Sequence, residues 1–432
     1  MAAIETLLEI NGVATEDLEK VISPEGYIAS DREANFGAFF GRDAAICSIF
    51  QIETYKLQEL EDLAVLKPVK DSLVTMAVNQ GQVVNEWRDE EPGKIVHELR
   101  DSSTEKNRQW LNNLEANNWP VEGGRLRGFE SADSTPLFVW AGCDYLLLTK
   151  DQSFFKWLDP HIRRAIEWME KYGDVDDDGY IEFEAKNKNT LINQGWKDSS
   201  DSIKTATGER PPGPIALVEI QGYKYRALMK AADLYSDKEV CGEDLFDPAY
   251  ADQLRTRAKE LRENFNRDFW MNDKEFFAYA LGGNKKQVTD ITSNVGHLLI
   301  TGIIERKKVP RVVNRLMQPD ILSGGGIRTL SLNSPNFSDE EPSAYHLGGS
   351  VWPHDNGIIA LGMEKLGYIQ EAEIIRDRVI RSQVLLKRKY NIRNPELFMV
   401  DRYGHLRPYN TAQQPQSWAI RSNLYWTAAI SR

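Results

Sequence analysis

Apolar residues recur along most of the chain at the three- and four-residue spacing of helices with one buried face. Leu137, Phe138 and Trp140 show this spacing in one segment, and Phe155 and Ile162 show it in the next. Alternating patterns typical of strands stay weak, so the sequence predicts an all-α chain of about eleven helices in pairs. The predicted helices span residues 44–64, 67–79, 135–149, 154–171, 214–235, 248–269, 292–305, 309–317, 350–366, 369–387 and 415–430.

The segment 80–130 shows no sustained helical period and is predicted to be a long irregular connection. Loops of this length in compact domains are usually functional. His97, Glu98 and Arg100 lie there together. Two interpretations are open from the sequence, a solvated charge cluster and the wall of a binding pocket.

Charge and composition narrow the classes of function. The chain has 65 Asp and Glu residues against 53 Lys and Arg, a net charge of -12, and no run of five basic residues. This balance argues against nucleic acid and anionic membrane surfaces as partners. The 11 Trp and 16 Tyr residues are typical of a groove that binds sugars, although packed helices use aromatic residues too. No Ser/Gly-rich linker interrupts the chain, so we expect one domain over residues 1–432, with about the first 20 residues peripheral.

The three cysteines indicate a reducing compartment. Cys47, Cys143 and Cys241 are odd in number, lack metal-ligand spacing and lie in or beside apolar helical patterns. Buried free thiols are the simplest interpretation. The N-terminal segment lacks the basic and apolar regions of a signal peptide, and no apolar run is long enough to span a membrane. We therefore expect a cytoplasmic protein, and the sequence leaves its oligomeric state open.

The stretch 191–223 concentrates candidate chemistry. Its first part, 194–202, has no apolar period and contains Trp196 and Asp198. An indole face provides an apolar wall for a sugar ring, and a carboxyl beside it can be desolvated enough to stay protonated near neutral pH. This arrangement is typical of a general acid. The alternative is a polar loop in which Asp198 or Asp201 caps a helix and Trp196 fills the core.

The second part of this stretch is predicted to be a helix with Pro214 in its first turn. Glu219 lies inside the apolar run of that helix. A carboxylate among apolar neighbours is rarely buried unless it is paired or functional. We therefore expect Glu219 either to meet an Arg or Lys or to face a polar pocket.

Gly41, Arg42 and Asp43 open the first predicted helix. Asp43 is a natural N-cap residue, which would explain it structurally. Arg42 beside it forms an Arg-carboxylate pair suited to the vicinal hydroxyls of a sugar. The two interpretations are compatible, and the sequence does not choose between them.

Residues 174–185 resemble a calcium-binding loop. Asp174, Asp176 and Asp178 occupy alternate positions and Gly179 stands at the turn. The twelfth position, where a bidentate Glu belongs, is Ala185. An Asp-rich turn stabilised by its own backbone is the favoured interpretation, and a calcium site is the alternative. We expect no metal site here and, for the chain as a whole, no cofactor.

Two further windows carry unusual clusters. Residues 350–357 place Trp352, His354 and Asp355 at a helix start, where capping explains only the aspartate. Glu396 lies on a non-periodic loop between Pro395 and Leu397, where a surface charge is the simple interpretation. Several such clusters on one chain favour a single shared cleft.

Taken together, these windows resemble the amylo-α-1,6-glucosidase family, the glucosidase domain of glycogen-debranching enzymes and its bacterial relatives. The similarity runs in order from residue 41 to residue 419 through the motifs GRDAAI, EPGKIVHELR, ESADSTPLF, NQGWKDSSDSI, ALVEIQGY, ITSNVGHLL, GGSVWPHDNG, NPELF and QQPQSWA.

This resemblance implies an (α/α)6 toroid with its active site at one end of an inner ring of helices. It implies Asp198 as the general acid and Glu396 as the general base of an inverting glycosidase that needs no cofactor. It also implies a sugar-binding pocket formed by Arg42, Asp43, Asp133, Trp196, Lys197, Glu219, Gln221, Trp352, His354 and Asp355.

The expected function is therefore that of an exo-acting α-glucosidase acting on α-glucosides or branched α-glucan oligosaccharides. Alternatives are another enzyme of this fold, such as a trehalase, a glucosylglycerate hydrolase or a disaccharide phosphorylase, and a non-catalytic sugar-binding toroid. A phosphorylase replaces the base by phosphate, and a pure binder needs no carboxyl on each face of the sugar, so Asp198 and Glu396 favour a hydrolase. We expect the pKa of Asp198 to be raised beside Trp196 and that of Glu396 to be ordinary or low.

Overall fold

The computed structural model describes residues 2–430, and about half of the protein (51%) is helical. The prediction of a helix-rich chain is confirmed. The fourteen α-helices in the described part of the chain are α1 (Ala2–Leu18), α2 (Gly41–Leu57), α3 (Lys67–Val78), α4 (Glu105–Ala116), α5 (Ser134–Thr149), α6 (Gln152–Lys171), α7 (Val218–Ser236), α8 (Lys238–Leu245), α9 (Pro248–Asp268), α10 (Leu298–Thr301), α11 (Val309–Leu316), α12 (Pro353–Lys365), α13 (Ile369–Tyr390) and α14 (Ser417–Ile430).

Short antiparallel strands join the helices, although strand signals in the sequence are weak. They are β1 (Ile22–Ser23), β2 (Gly26–Tyr27), β3 (Phe39–Phe40), β4 (Glu98–Arg100), β5 (Val121–Glu122), β6 (Arg125–Gly128), β7 (Ala216–Leu217), β8 (Trp270–Met271), β9 (Phe276–Phe277), β10 (Ala280–Leu281), β11 (Gln287–Val288), β12 (Leu322–Ser323), β13 (Gly326–Ile327), β14 (Ser350–Val351), β15 (Phe398–Val400) and β16 (Leu406–Pro408). The larger sheets have the orders β3-β4-β6-β5, β14-β15-β16 and β11-β10-β7.

Six helices pack side by side in a cyclic order. Helix α2 contacts α5, α5 contacts α7, α7 contacts α10, α10 contacts α12, α12 contacts α14, and α14 returns to α2. Helices α2, α5 and α12 are buried over nearly their whole length, as expected of helices surrounded by others.

A second set of helices covers the first. Helix α3 packs on α2, α6 on α5, α9 on α7, α13 on α12 and α1 on α14. These helices keep one apolar face toward the inner set and one polar face toward solvent, and side-chain caps mark where several begin. Asp151 accepts a hydrogen bond from the backbone N–H of Phe154 at the start of α6, and Asp247 does the same for Tyr250 in α9.

The N-terminal segment, expected to be peripheral, forms α1, which packs against α13 and α14. Ile10, Val13 and Ala14 of this helix are buried. Asp17, also buried, accepts a hydrogen bond from Asn394, the second residue before Glu396. The helix therefore supports a loop that carries a candidate catalytic residue.

Several predicted helix boundaries were wrong because local turn geometry overrides apolar periodicity. Helix α2 ends at Leu57 rather than at residue 64, and Glu59 just beyond it has a left-handed backbone (φ 52°). Helix α10 ends at Thr301 because Gly302 adopts φ 86°, so the predicted helix 292–305 is mostly a 3-10 turn followed by one short helix.

Strand pairing shortens two further helices. Pro214 does not open α7, because Ile215 bridges to Phe183 and β7 pairs with β10 before the helix begins. Helix α12 begins at Pro353 because the preceding residues form β14.

The predicted irregular segment 80–130 is largely ordered secondary structure. It contains a 3-10 turn, β4, α4, β5 and β6. The apolar pattern did not predict helix α4 because its sequence is mostly polar. Leu111 and Leu114 are its buried apolar residues. Thr104 caps it by accepting a hydrogen bond from the backbone N–H of Asn107.

Candidate active site

A cavity of about 320 Å³ opens where the first turns of α2, α12 and α14 meet the loops before them. Two sheets shape it: β4 pairs with β3 so that Glu98 lies opposite Phe40, and β15 pairs with β14 so that Phe398 lies opposite Val351. The predicted site residues that line the cavity are Arg42, Asp43, Trp196, Asp198, Trp352 and Glu396.

Arg42 holds Asp198 in a fixed position. Its Nε donates to Asp133 Oδ2 (2.7 Å), its Nη1 to Asp198 Oδ2 (3.1 Å) and its Nη2 to the carbonyl oxygen of Gly195 (2.8 Å). Asp133 is fully buried and also accepts from Ser131 (2.6 Å). Charge-assisted bonds of this kind are strong and directional, so the loop carrying Asp198 is tied to the first turn of α2.

The carboxyl of Asp198 remains partly open to the cavity, with 27% of its side chain exposed. Burial raises the pKa of Asp198 above its ordinary value, although the neighbouring Arg42 guanidinium acts in the opposite direction. The direction agrees with the sequence-based expectation, but general desolvation is its leading cause.

The pKa of Glu396 differs from the value expected from the sequence. Its Oε1 accepts a hydrogen bond from the Tyr345 hydroxyl (2.7 Å) and its Oε2 from the backbone N–H of Gln413 (3.0 Å). Both bonds favour the carboxylate, yet burial outweighs them and raises the pKa of Glu396 to about 7, with a further contribution from the charge of Asp198. The prediction of an ordinary or low pKa was therefore wrong, since the sequence could not show that this loop residue is 3% exposed.

Asp43 lies within the first turn of α2 and does not cap it. Phe40 occupies the cap position and makes no side-chain cap bond. The carboxylate of Asp43 instead accepts a hydrogen bond from Gln416 Nε2 (3.0 Å). Burial raises the pKa of Asp43 to about 8, so this cavity-lining carboxyl is protonated near neutral pH.

Trp196 forms the floor of the cavity and also belongs to the buried core. Its ring lies nearly parallel to His297 at a centroid distance of 5.9 Å. It meets Trp352 (5.5 Å) and His346 (5.7 Å) edge to face. Only 2% of Trp196 is exposed, so the floor is rigid.

Four predicted pocket residues lie behind this floor and do not line the cavity. Lys197 donates to the carbonyl oxygen of Thr329 (2.7 Å), and burial lowers its pKa to about 8. Asp355 Oδ1 lies 2.8 Å from His297 Nε2. His354 stacks on Trp418 at 3.8 Å.

Glu219 is the fourth of these residues. It is fully buried, and its Oε1 accepts a hydrogen bond from Asn294 Nδ2 (2.9 Å). Burial raises the pKa of Glu219 to about 7. Its direct partner is therefore an amide, and neither the Arg or Lys partner nor the polar pocket expected as alternatives is its direct contact.

Gln221 makes hydrogen bonds to the backbone that hold two parts of the fold together. Its amide donates to the carbonyl oxygens of Ile181 (2.7 Å) and Leu217 (3.0 Å) and accepts from the backbone N–H of Ile181 (2.8 Å). These bonds join α7 to the loop 180–182. The structure therefore places Gln221 away from the cavity, in contrast to its implied role in sugar binding.

Sequence reasoning missed several residues that line the cavity, including Tyr345, His346, Gln416 and Trp418. His346 Nδ1 accepts a hydrogen bond from the backbone N–H of Ser199 and lies 2.7 Å from its hydroxyl. Burial lowers the pKa of His346 well below its ordinary value, so the ring is neutral. The motif QQPQSWA was a usable signal for Gln416 and Trp418, whereas nothing in the sequence singled out residues 345 and 346.

The Asp-rich loop, defined here by Asp174, Asp176, Asp178 and Glu182, brings four carboxyl oxygens within 4.8 Å of one another. The Nζ atom of Lys285 contacts Asp176 (2.6 Å), Asp178 (2.5 Å) and Glu182 (2.7 Å). The ammonium group thus takes the position that a bound cation would need. This cluster lies outside the cavity.

Comparison with known proteins identifies the family. A sequence profile described as the mannosylglycerate hydrolase MGH1-like glycoside hydrolase domain matches residues 129–393, more than half of the chain. The chain belongs to this glycoside hydrolase family. The resemblance to glycosidases of this fold is thereby confirmed at the coarse level, while the assignment to amylo-α-1,6-glucosidases receives no support. No curated protein sequence matches.

Solved structures agree on the fold. The mannosylglycerate hydrolase of glycoside hydrolase family 63 from Thermus thermophilus, in complex with glucose, superposes with a TM-score of 0.66 at 13% identity, covering 97% of this chain and 100% of that one. The same enzyme in complex with Tris gives 0.63 at 13% identity with the same coverage. A variant of another glycosidase gives 0.59 at 11% identity, covering 99% of this chain and 97% of that one. Within residues 2–430, no helix combines the length and apolar character needed to cross a bilayer.

Proposed function

We propose that this glycoside hydrolase is an inverting, exo-acting enzyme that removes a terminal α-linked hexose from a small glycoside. Asp198 is the general acid and Glu396 the general base. The observation that carries the proposal is the pair of carboxyls that line one cavity, one held by Arg42 and the other by Tyr345 and Gln413. Burial raises the pKa of both carboxyls toward the neutral range, in which proton transfer to and from a side chain is most efficient.

The bonds of Arg42 define how Asp198 would act. Because Nη1 donates to Oδ2, a proton on the carboxyl is directed to Oδ1, on a side chain that lines the cavity. From there it can be passed to the glycosidic oxygen as the bond to the sugar breaks. The carboxylate formed is then stabilised by the same guanidinium.

Glu396 would act on the opposite face of the sugar. Two donors hold its carboxylate, which can accept a proton from a water molecule as that water attacks the anomeric carbon. An inverting enzyme needs room for this water, with the carboxyls about 6.5–9.5 Å apart. Attack from the face opposite the leaving group converts an α-glycoside into a β-hexose.

The helix arrangement supports an (α/α)6 toroid as the frame for this chemistry. The inner ring would comprise α2, α5, α7, the 3-10 turn with α10, α12 and α14, which contact one another in cyclic order. Site residues lie at or near the first turns of these helices, including Arg42, Asp43, Asp133 and Asp355. We propose that the whole chain is one catalytic domain, and its three buried free thiols fit a cytoplasmic location.

The size of the cavity favours a small substrate. A volume of about 320 Å³ lies at the lower end of the range of about 300–1,000 Å³ for ligand pockets. This favours α-glucosides or α-mannosides of one or two units over a branched α-glucan. The Thermus enzyme of this fold is known in complex with glucose, which supports a hexose as the sugar that this chain binds. Asp43, Trp196 and Trp352 are the proposed contacts to that hexose.

A disaccharide phosphorylase fits less well. It needs a site for inorganic phosphate, which positively charged side chains commonly provide. Within the described part of the chain, Arg42 is the one Lys or Arg that lines the cavity, and its donors already bond to Asp133, Asp198 and Gly195. Turnover that does not depend on phosphate would separate hydrolysis from phosphorolysis.

Proton NMR during the first minutes of hydrolysis tests the mechanism directly. Isomaltose, maltose, trehalose, α-mannobiose and the glycerate conjugates of glucose and mannose form a suitable panel. We expect the β anomer of the released hexose to appear first and the α anomer to follow by mutarotation. Initial release of the α anomer would contradict inversion and the role of Glu396, and hydrolysis of none of these glycosides would contradict the proposed function.

A further inference from the structure

The cavity has a second side that the proposed catalytic groups do not use. We call it the aromatic wall and define it by Phe36, Phe40, Trp110 and Trp119, all of which line the cavity. Phe36 meets Phe40 (5.9 Å) and Trp110 (6.0 Å) edge to face. Phe40 of the wall lies two residues before Arg42 in the sequence, so the wall adjoins the end of the cavity that holds the proposed catalytic residues.

The wall has rigid support of its own. Leu111, Leu114, Val121 and Leu126 form a small buried cluster separate from the main core. Trp110 and Trp119 pack against this cluster and remain partly exposed. The two indoles are therefore held in position while keeping accessible surface.

The polar groups beside the wall are acidic or neutral. Glu98 and His97 line the cavity, and burial lowers the pKa of His97 well below its ordinary value, so its ring carries no charge. Arg100 donates from Nε to Glu98 Oε1 (2.5 Å) and from Nη1 to Asn107 Oδ1 (2.8 Å). Its guanidinium also lies 5.3 Å from the centre of the Trp110 ring. Arg100 is therefore paired with Glu98 and does not line the cavity, and its Nη2 is buried without a hydrogen-bond partner.

We propose that the aromatic wall is the aglycone site and that the aglycone is a neutral, hydroxyl-bearing ring, a second sugar, rather than a carboxylate such as D-glycerate. The proposal rests on the proposed function and specifies its substrate class. A sugar ring presents an apolar face that fits an indole and hydroxyls that donate to Glu98. A carboxylate would meet the Glu98 carboxylate without a free cation, and burying an unpaired charge is costly.

The first test compares matched substrates of the wild-type enzyme at pH 7. Initial rates are measured for a panel of neutral α-disaccharides and for the D-glycerate conjugate of the same hexose, in both the glucose and mannose series. We expect kcat/KM for the best disaccharide to exceed that for the glycerate conjugate by at least about 100-fold. Equal or faster hydrolysis of the glycerate conjugate would overturn the proposal.

A binding measurement tests the aglycone assignment independently of whether the protein hydrolyses the substrate. Titration calorimetry with the Asp198→Asn variant measures affinity where no turnover is required. Tighter binding of the disaccharide than of the glycerate conjugate supports the aglycone assignment even if no hydrolysis is found with the wild type. Tighter binding of the glycerate conjugate overturns it.

Variants of the aromatic wall test whether the aglycone binds there. The measured quantity is the ratio of kcat/KM for the disaccharide to kcat/KM for an α-glycosyl fluoride, whose leaving group makes no ring contact. We expect Trp119→Ala to lower this ratio by about 2- to 12-fold. Trp157→Ala is the matched control, because Trp157 is 40% exposed on α6 and lies outside the cavity. An unchanged ratio in Trp119→Ala and in Trp110→Ala would show that the wall does not bind the aglycone.

Glu98→Gln tests the sign of the charge. It removes the negative charge beside the wall and releases the Nε donor of Arg100. We expect kcat/KM for the glycerate conjugate, divided by that for the disaccharide, to rise at least about tenfold, because a carboxylate would then meet a cation. No rise in a variant that folds as well as the wild type would show that Glu98 does not exclude anionic aglycones.

Discussion

Two groups of carboxyls in this protein differ in how their charge is neutralised. The cavity carboxyls are Asp43, Asp198 and Glu396, and the other group is the Asp-rich loop. In the loop, the ammonium group of Lys285 contacts three carboxylates. In the cavity, Arg42 bonds to Asp198 alone of the three, and the hydrogen-bond donors to the other two carboxyls are uncharged.

The difference in neutralisation separates a structural cluster from the proposed catalytic one. Burial raises the pKa of Asp43 to about 8 and that of Glu396 to about 7, and both face an open space of ligand size. Burial also raises the pKa of Glu182 in the loop to about 7, but its carboxylate is bonded to Lys285. A high density of acidic residues is therefore a weak indicator of catalysis, whereas protonatable carboxyls that face a cavity are a strong one.

The largest expected effect is that of Asp198→Asn. We expect hydrolysis of an unactivated disaccharide to fall by about 100- to 10,000-fold, since the amide cannot protonate the leaving oxygen. Circular dichroism and the melting temperature should stay close to wild type. Asp201→Asn on the same loop is the control, because its carboxylate makes only a 4.0 Å ion pair with Lys204. Activity of Asp198→Asn within tenfold of wild type would place the acid elsewhere, with Asp201 as the next candidate.

The pH profile should show the second largest effect. The base must be ionised to accept a proton, and the pKa of Glu396 is raised to about 7 by burial. Because the base must be ionised while the acid is protonated, we expect kcat/KM to follow a bell-shaped curve, with one limb near pH 7 set by Glu396. A profile with no limb near pH 7 would contradict the assignment of Glu396 as the base.

Stability should change with pH in a direction that the cavity carboxyls determine. The folded protein retains the proton of Glu396 up to about pH 7, whereas an unfolded chain loses it near 4.5, so stability falls as the pH rises between these values. We expect Glu396→Gln to be inactive and to have a higher melting temperature than wild type at pH 8, with little difference at pH 4.

The mutant amide can preserve the local contacts in that experiment. Its oxygen can accept from Gln413, and the Tyr345 hydroxyl can accept from its NH2 group. A lower melting temperature at pH 8 would show that the carboxylate is stabilised in the fold. Asp43→Asn should behave in the same way, with its transition shifted toward pH 8.

The smallest effect concerns the Asp-rich loop. Because Lys285 occupies the centre of the cluster, we expect a chelator to leave wild-type activity and melting temperature unchanged. Lys285→Ala leaves the carboxylates unneutralised, so its melting temperature should fall and calcium should restore it. The control is Lys286→Ala at the exposed neighbouring position. A chelator-induced drop in the wild type would show that the loop binds a metal together with Lys285.

The sequence predicted those parts of the molecule that depend on local pattern. Helices such as α5, α6 and α11 were placed within two residues of their observed ends because their apolar spacing is continuous. Helix α4 was missed because its surface is mostly polar, and the start of α7 was misplaced because β7 pairs with a strand distant in sequence. Pairing of that kind has no local signature.

In the candidate site as well, the sequence revealed residues in local motifs and missed residues that depend on contacts between distant segments. The windows around Asp198 and Glu396 were recognisable as motifs, whereas Tyr345 and Gln416 gain their roles only when distant loops meet. The pKa of Glu396 was mispredicted for a related reason. Its shift depends on how completely the surrounding elements exclude water, which no residue type or spacing encodes.

The small core under the aromatic wall has a consequence for protein engineering. The segment from α4 to β6 carries its own apolar cluster and joins the four-stranded sheet mainly through pairing of β6 with β4. We expect such a unit to be exchangeable for another hairpin-and-helix cassette without repacking α2, which carries Arg42, or the loop that carries Asp198. Libraries confined to this cassette would vary the leaving group that the enzyme accepts while the bond-breaking machinery stays constant.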